Sequence, residues 1–191
     1  GAEALAAARA TFVGSEHIRQ VLEDVCGHVD RVHEVPPGVD VEEWLPEVRD
    51  AALASLLEQA AADPPNPGNA NERLADEGNE GRLRAFLAGD APVVVYFGKL
   101  IPQKGVHVLL EALAGLGASV VVVGFGPERA ALEAQAASLG VRALFTGPLE
   151  HRHLRHLLAL ADACVVPSVF PEAFGMVAAE AAAAGCPPLV A

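Results

Sequence analysis

The chain's only two lysines, Lys99 and Lys104, fall in one stretch, FGKLIPQKG (97–105), while its 11 arginines are spread throughout. Gly98 lets the backbone turn tightly, and Lys104 arrives just before Gly105, where a helix start already favours anions. Two ammonium groups there suit a diphosphate. Two solvated surface lysines are the bland alternative, and their confinement to one loop at a strand's end weighs against it. A second stretch, VFPEAFGMVAAEA (169–181), sets Glu172 and Glu180 eight residues apart. That spacing is uninformative by itself, since Glu34/Glu42 and Glu72/Glu80 share it. Context separates the third pair. Pro171 and Gly175 predict a helix starting around Phe174 to Met176, whose first N–H groups, at Phe174, Gly175, Met176 and Val177, lack intrahelical partners. Those donors can take a phosphate or a sugar hydroxyl. Carboxylates accept well from vicinal hydroxyls, and a ligand made of sugar, diphosphate and ribose offers such hydroxyls at both ends. Structural alternatives stay open: Glu172 as a helix-dipole partner, and Glu180 as a buried neutralised acid or a solvent-facing one, because its alanine neighbours define no face.

Other motifs carry less. VVVVGFGPERA resembles a dinucleotide-binding turn, but it follows the second strand of its unit, and the next strand ends in Thr146 and Gly147 without the acid such a site wants. Gly126 reads more simply as holding a backbone close to whatever fills the crevice. HRHLRH (151–156) offers His153 and His156 three apart, yet no carboxylate accompanies them in the motif, and Arg152 and Arg155 would repel a cation. It reads as a solvated helix start, so no metal is expected. No G-x-S-x-G nucleophile elbow is present. Cys26, Cys164 and Cys186 are odd in number and widely spaced, which argues against a disulfide framework or a zinc site and for a reducing, cytoplasmic setting.

The elements that must position these residues alternate regularly from residue 91. VVVYF (93–97), SVVVV (119–123), ALF (143–145), ACVV (163–166) and PLV (188–190) are short continuous apolar runs, the mark of strands buried on both faces. Helices are expected near 105–115, 127–138, 150–160 and 175–184. This is an α/β pattern that predicts a Rossmann-like, doubly wound parallel sheet, whose strand ends would converge on one crevice. Earlier, ATFVG (10–14) reads as a short strand, Ser15 as a helix N-cap, Gly27 as that helix's stop, and 30–40 as a strand running into a Pro-Pro-Gly turn. Helices are expected over 47–62 and 79–88, separated by the loop PPNPGNAN (64–71). Residues 47–90 read as a surface appendage.

Charge agrees with that division. The formal net charge is −12; residues 1–90 hold 18 acids against 7 Arg, and 91–191 hold 7 acids against 6 bases. Nucleic acid is therefore an unsuitable partner, since phosphate backbones are bound through clustered Lys and Arg. Apolar runs fall far short of the roughly 20 residues a membrane-spanning helix needs. The opening GAEALAAARATFVG has neither a charged leader nor an initiator Met, so no signal peptide is expected and the chain reads as a fragment.

In order and spacing, FGKLIPQKG, VVGFGPE, FTGPLE, LADACVVPS and PEAFGMVAAEAAAAGCPPLVA resemble the donor-binding domain of retaining glycosyltransferases of family four (glycosyl transferases group 1). SEHI and VPPGVD resemble the passage into that domain from the acceptor domain, and 47–90 stands out as an insertion. The resemblance implies the C-terminal half of a GT-B fold. Residues 1–30 would form the tail of the acceptor domain and a hinge helix, and 31–191 a truncated donor domain, inactive without the missing acceptor domain of the same chain. It also implies metal-independent transfer of a sugar from a nucleotide sugar to an acceptor, unknown here, with retained configuration. Glu172 would then bind the transferred sugar and Glu180 the ribose. Lys104 matches the phosphate-binding lysine, and Lys99 stands where arginine is usual, so the charge is kept and the bidentate fork lost. Glu172, Lys99 and Lys104 would be the catalytic set. The backbone near Leu149 would lie beside the nucleobase, and Gly98, Gly124 and Gly126 near the donor. A non-catalytic nucleotide-binding α/β module and an NAD(P)-binding Rossmann domain are the alternatives.

Overall fold

The computed structural model describes residues 2–191, which form two compact units. The first holds the chain up to Val39 together with Pro171–Met176. In it, α1 (Ala2–Ala7) precedes β1 (Thr11–Val13), and α2 (Glu16–Cys26) links β1 to β2 (Val32–Glu34), which pairs with it in parallel. Ser15 caps α2 by accepting from the Ile18 N–H at 3.3 Å, and the Gly27 N–H closes the helix onto Glu23 O at 2.8 Å. Both caps are where their side-chain chemistry predicts.

The second unit holds Asp40–Phe170 and Val177–Ala191. Its sheet comprises β3 (Val93–Phe97), β4 (Ser119–Val123), β5 (Arg142–Gly147), β6 (Ala163–Val166) and β7 (Pro188–Val190), all parallel, in the order β5-β4-β3-β6-β7. Every residue of SVVVV is buried, as a central strand covered on both faces requires. On one face α5 (Val106–Leu113) and α6 (Arg129–Leu139) pack Val106, Leu109, Leu110 and Leu132 against Tyr96, Val120, Val122 and Phe145. α7 (His151–Leu160) contacts β3 and buries Leu154, Leu157, Leu158 and Leu160. α8 (Met176–Ala183) leads to β7.

Residues 47–90 are not an appendage. α3 (Arg49–Ala61) packs on α7, and α4 (Asn79–Leu87) packs on α3 and β5. Ala52, Leu56, Leu57 and Ala60 form one buried stripe at helical spacing, and Leu56 and Leu83 are wholly buried, worth about 2 kcal/mol each in apolar burial. The acidic average misled because Asp50 and Glu58 face outward while the leucines face in. The outer edge of β5 is covered too: Asn79 Nδ2 donates to Thr146 O at 2.9 Å, and Arg82 Nη2 to Phe145 O at 2.6 Å. A covered edge offers no ladder to another chain. Even the proline-rich loop is held, since the buried Asn66 side chain donates to the carbonyls of Asn71 and Ala75 and accepts from the Asn71 N–H.

Candidate functional site

From β3 the chain winds outward through β4 to β5, then returns to start β6 beside β3 and winds the other way to β7. The carboxyl ends of β3 and β6 therefore flank the topological switch point, where open α/β sheets hold their ligands. The lysine loop leaves β3 at this point. Tyr96 Oη donates to Lys99 O at 2.8 Å, the Leu100 N–H donates to Phe125 O at 2.8 Å, and a 3-10 turn over Pro102–Lys104 delivers the chain to α5. Lys99 is exposed and Lys104 half-buried. The exit of β6 is tied to the same loop: the Val169 N–H donates to Gln103 O at 3.0 Å, and a Cβ on Gly105 would stand 1.8 Å from Pro167 O. Both lysines thus sit where the sequence pattern predicts, at a strand's carboxyl end and a helix start.

The exits of β4 and β5 adjoin this loop. Gly124 has φ 140, donates its N–H to Gly147 O at 3.0 Å, and leaves 1.8 Å between a built Cβ and Gly98 O. No side chain fits there without displacing backbone. Gly126 serves the same purpose against Leu100 O, 2.3 Å from a built Cβ. These glycines let three strand exits approach one another, with Gly126 set against the Leu100 backbone. Leu149, just past β5, is buried.

Glu180 lies on α8 and is 8% exposed, which rules out the solvent-facing alternative. His151 Nε2 is 4.0 Å from its Oε1, and Trp44, itself buried, packs tilted against the His151 ring with centroids 5.3 Å apart. Burial pushes the Glu180 carboxyl above the usual glutamate range, with His151 opposing the shift. Glu172 stands four residues before the first residue of α8 and is half-buried; Phe174 is exposed, and Gly175 takes φ 83 just ahead of the helix. Pro171–Met176, with Glu172, Phe174, Gly175 and Met176, groups with the first unit, and Val177 and Glu180 with the second.

The histidine motif is not a solvated helix start. His153 and His156 are buried, on the same face of α7 as Leu154 and Leu157. His153 Nε2 lies 2.9 Å from Asp63 Oδ1, and His156 Nδ1 lies 2.6 Å from Glu47 Oε2. The missing carboxylates arrive from either end of α3, about 90 to 109 residues away in sequence. The helical spacing of the histidines with the leucines was the available signal. Among the described residues no group of three or more His, Cys, Asp or Glu is arranged to hold a metal ion. Cys164 and Cys186 are buried free thiols, pushed up by burial to about 12 and about 11, which leaves them unreactive as nucleophiles. No described helix is long and apolar enough to cross a membrane.

A Rossmann-like parallel sheet with both lysines and the glycine loops at its switch point is the framework on which open α/β folds place their ligands. The sequence profile of the family "Glycosyl transferases group 1" matches residues 82–191, which span β3 to β7 and include Lys99, Lys104, Glu172 and Glu180. The chain belongs to that family. It is 35% identical over 203 residues to the D-inositol 3-phosphate glycosyltransferase of Xylanimonas cellulosilytica, covering 100% of this chain and 42% of that protein. It is also 35% identical over 161 residues to the glycogen synthase of Mycobacterium tuberculosis, covering 77% of this chain and 38% of that one. The solved structure of Anabaena HepE in complex with UDP and glucose superposes with a TM-score of 0.74 at 22% identity, covering 98% of this chain and 45% of that one. Sucrose-phosphate synthase from Thermosynechococcus elongatus gives 0.72 at 24%, covering 99% and 42%. The fold is accordingly that of the C-terminal half of GT-B glycosyltransferases. The chain spans about two fifths of the length of the curated relatives it matches.

Proposed function

We propose that this chain is the part of a retaining, family-four glycosyltransferase that binds a nucleotide-diphosphate sugar and presents the sugar to an acceptor. The observation that carries the reading is the lysine loop: Lys99 and Lys104 occupy the β3 exit at the switch point, beside the start of α5. As the bond from the sugar to the diphosphate breaks, its electron pair stays on the leaving phosphate oxygen. Lys104 and Lys99 neutralise that growing charge, and the N–H groups of Phe174, Gly175, Met176 and Val177 are donors for a phosphate or a sugar hydroxyl. An acceptor hydroxyl oxygen bonds to the anomeric carbon as its proton passes to the leaving phosphate oxygen, and with both ammonium groups countering the diphosphate's charge this reading requires no metal ion.

Glu172 binds hydroxyls of the transferred sugar, Glu180 binds the ribose, and the backbone at Leu149 borders the base. Gly98, Gly124 and Gly126 bring the loops around the donor. The pair acts by binding, since a retaining glycosidase would instead need two carboxyls roughly 5 Å apart across the bond. The acceptor is bound by the acceptor domain of the same polypeptide, of which residues 1–30 are the tail and hinge and which 31–191 follow as the donor domain; the enzyme works in the cytoplasm. The relatives' names support this reading, as one is a glycogen synthase and a structural neighbour is solved with UDP and glucose.

Calorimetric titration of the chain with UDP, GDP, ADP and NAD, with and without EDTA, tests the proposal. One nucleoside diphosphate should bind in both conditions, and Lys104→Ala should weaken it at least tenfold, as loss of a charge-assisted contact predicts. Binding of NAD alone, or an unchanged affinity in Lys104→Ala, would overturn it.

A further inference from the structure

Asp76 lies outside the stretch matched by the family profile, in the segment between α3 and α4, and its side chain is 2% exposed. Both its carboxylate oxygens accept from the fork of Arg129, Oδ1 from Nη1 at 2.8 Å and Oδ2 from Nη2 at 2.6 Å. Oδ2 also accepts from Arg82 Nη1 at 3.2 Å, and the Asp76 N–H donates to Thr146 O at 2.8 Å. Arg129 is the first residue of α6 and its own N–H donates to Gly126 O at 3.2 Å. Asp76 therefore holds the residue that closes the Gly124–Glu128 loop. On its other side it meets β5 at the strand's last residue. Gly147 takes φ 70, and a Cβ there would stand 2.8 Å from Asp76 Oδ1 and 3.0 Å from Leu74 O. The Gly147 carbonyl in turn receives the Gly124 N–H.

One carboxylate thus reaches two glycine loops at the carboxyl end of the sheet. One path runs through Arg129 to Gly126, whose neighbours Phe125 and Glu128 bond the Leu100 backbone in the lysine loop. The other runs through Gly147 to Gly124, which is pressed against Gly98. Both paths end on residues adjoining Lys99. A carboxylate that only covered the β5 edge would have no reason to hold the first residue of α6. Burial alone would raise the Asp76 carboxyl, but Arg129 and then Arg82 outweigh it and hold it below the usual aspartate range, so the strut is ionised wherever the protein is folded near neutral pH.

We propose that Asp76 is a positioning residue for the donor site, setting the loops after β4 and β5 against the lysine loop in the conformation that binds the nucleoside diphosphate. The inference rests on the donor-binding reading above. It gives the 47–90 segment a part in binding through the loops it holds.

The test measures the affinity of the whole chain for UDP, GDP and ADP by calorimetry, together with amide hydrogen exchange, in wild type, Asp76→Asn and Arg129→Lys. All are compared at a temperature where each is folded by circular dichroism. Asp76→Asn should weaken diphosphate binding about tenfold, since small misplacement of binding groups costs that much or more. It should also speed exchange at Gly124, Leu100 and Glu128 while Leu109 and Leu110 in α5 stay protected. Arg129→Lys, which keeps charge and loses the fork, should show a smaller change of the same kind, and it decides the matter if Asp76→Asn does not fold. A variant that is less stable yet binds UDP, GDP or ADP as wild type does, with unchanged exchange at Gly124, overturns the inference. If wild type binds none of UDP, GDP and ADP, the donor-binding reading fails, and the inference's claim about binding falls with it.

Discussion

Two carboxylate clusters join the 47–90 segment to the rest of its unit, and they differ in how completely the acid is answered. At the carboxyl end of β5, Asp76 is met by the guanidinium of Arg129 in a two-pronged fork, with Arg82 beside it. Along the α3–α7 seam, Asp63 is met at one oxygen by both His153 and Arg152, and Glu47 by the His156 imidazole with Arg155 Nε 3.9 Å away. A guanidinium fork satisfies both carboxylate oxygens at once. An imidazole nitrogen satisfies one. Among the described residues Asp63 Oδ2, His153 Nδ1 and Gln59 Oε1 are accordingly buried without a hydrogen-bond partner. The fully satisfied cluster borders the strand-end loops, where geometry must be held; the partly satisfied one binds helix to helix, where apolar stripes already fix the packing. A polar network positions well only when every member is paired.

Breaking the guanidinium cluster should have the largest effect. Asp76→Ala takes the buried partner from Arg129, which keeps only Glu133, and from the partly exposed Arg82, and should cost about 2–3 kcal/mol, read from urea denaturation. Glu47→Ala should cost less, about 1–2 kcal/mol, because its carboxylate is partly exposed and supports one hydrogen bond to a histidine. The reverse order would dissolve the contrast.

Acid sharpens it. The Asp76 carboxyl lies below its unfolded value in the folded protein, so its contribution is complete above the unfolded value and is lost as pH falls through the folded one. Urea midpoints followed from pH 6 down to pH 3 should fall more steeply in wild type than in Asp76→Asn. Glu180 makes the smallest and opposite case, a buried carboxylate with only a distant histidine. Its folded value is raised, so its ionised form opposes folding at neutral pH. Glu180→Gln should raise the urea midpoint slightly at pH 7, and the advantage should fade as pH drops to the unfolded carboxyl range. The same variant should bind the diphosphate donor less tightly, which thermal-shift titration with UDP would register; a Glu180→Gln that is both less stable and equally avid would contradict both readings.

Element by element, the chain was legible where the physics is local. Runs such as VVVYF and SVVVV, the Ser15 and Gly27 caps, and the Pro171 to Gly175 break before α8 all specify structure through residues within a few positions of one another, and the observed bounds lie within a few residues of those expected. The lysine loop was legible for the same reason, since a strand followed by glycine, lysine and a helix start describes its own place in an α/β unit. The sheet order with its switch point between β3 and β6, the Asp76–Arg129 fork and the burial of His153, His156 and Glu180 were not. Each joins residues far apart in the chain: Asp76 and Arg129 are 53 positions apart, and Asp63 and His153 are 90. Their net charge and neighbours read as a solvated acidic segment and a basic helix, and only the packing of α3 and α4 on the sheet unit turned those surfaces inward and paired them. Hydrophobic periodicity and backbone stereochemistry act over one turn or one strand, so sequence alone determined the elements; which polar groups meet depends on three-dimensional proximity and desolvation, and the tertiary structure decided that.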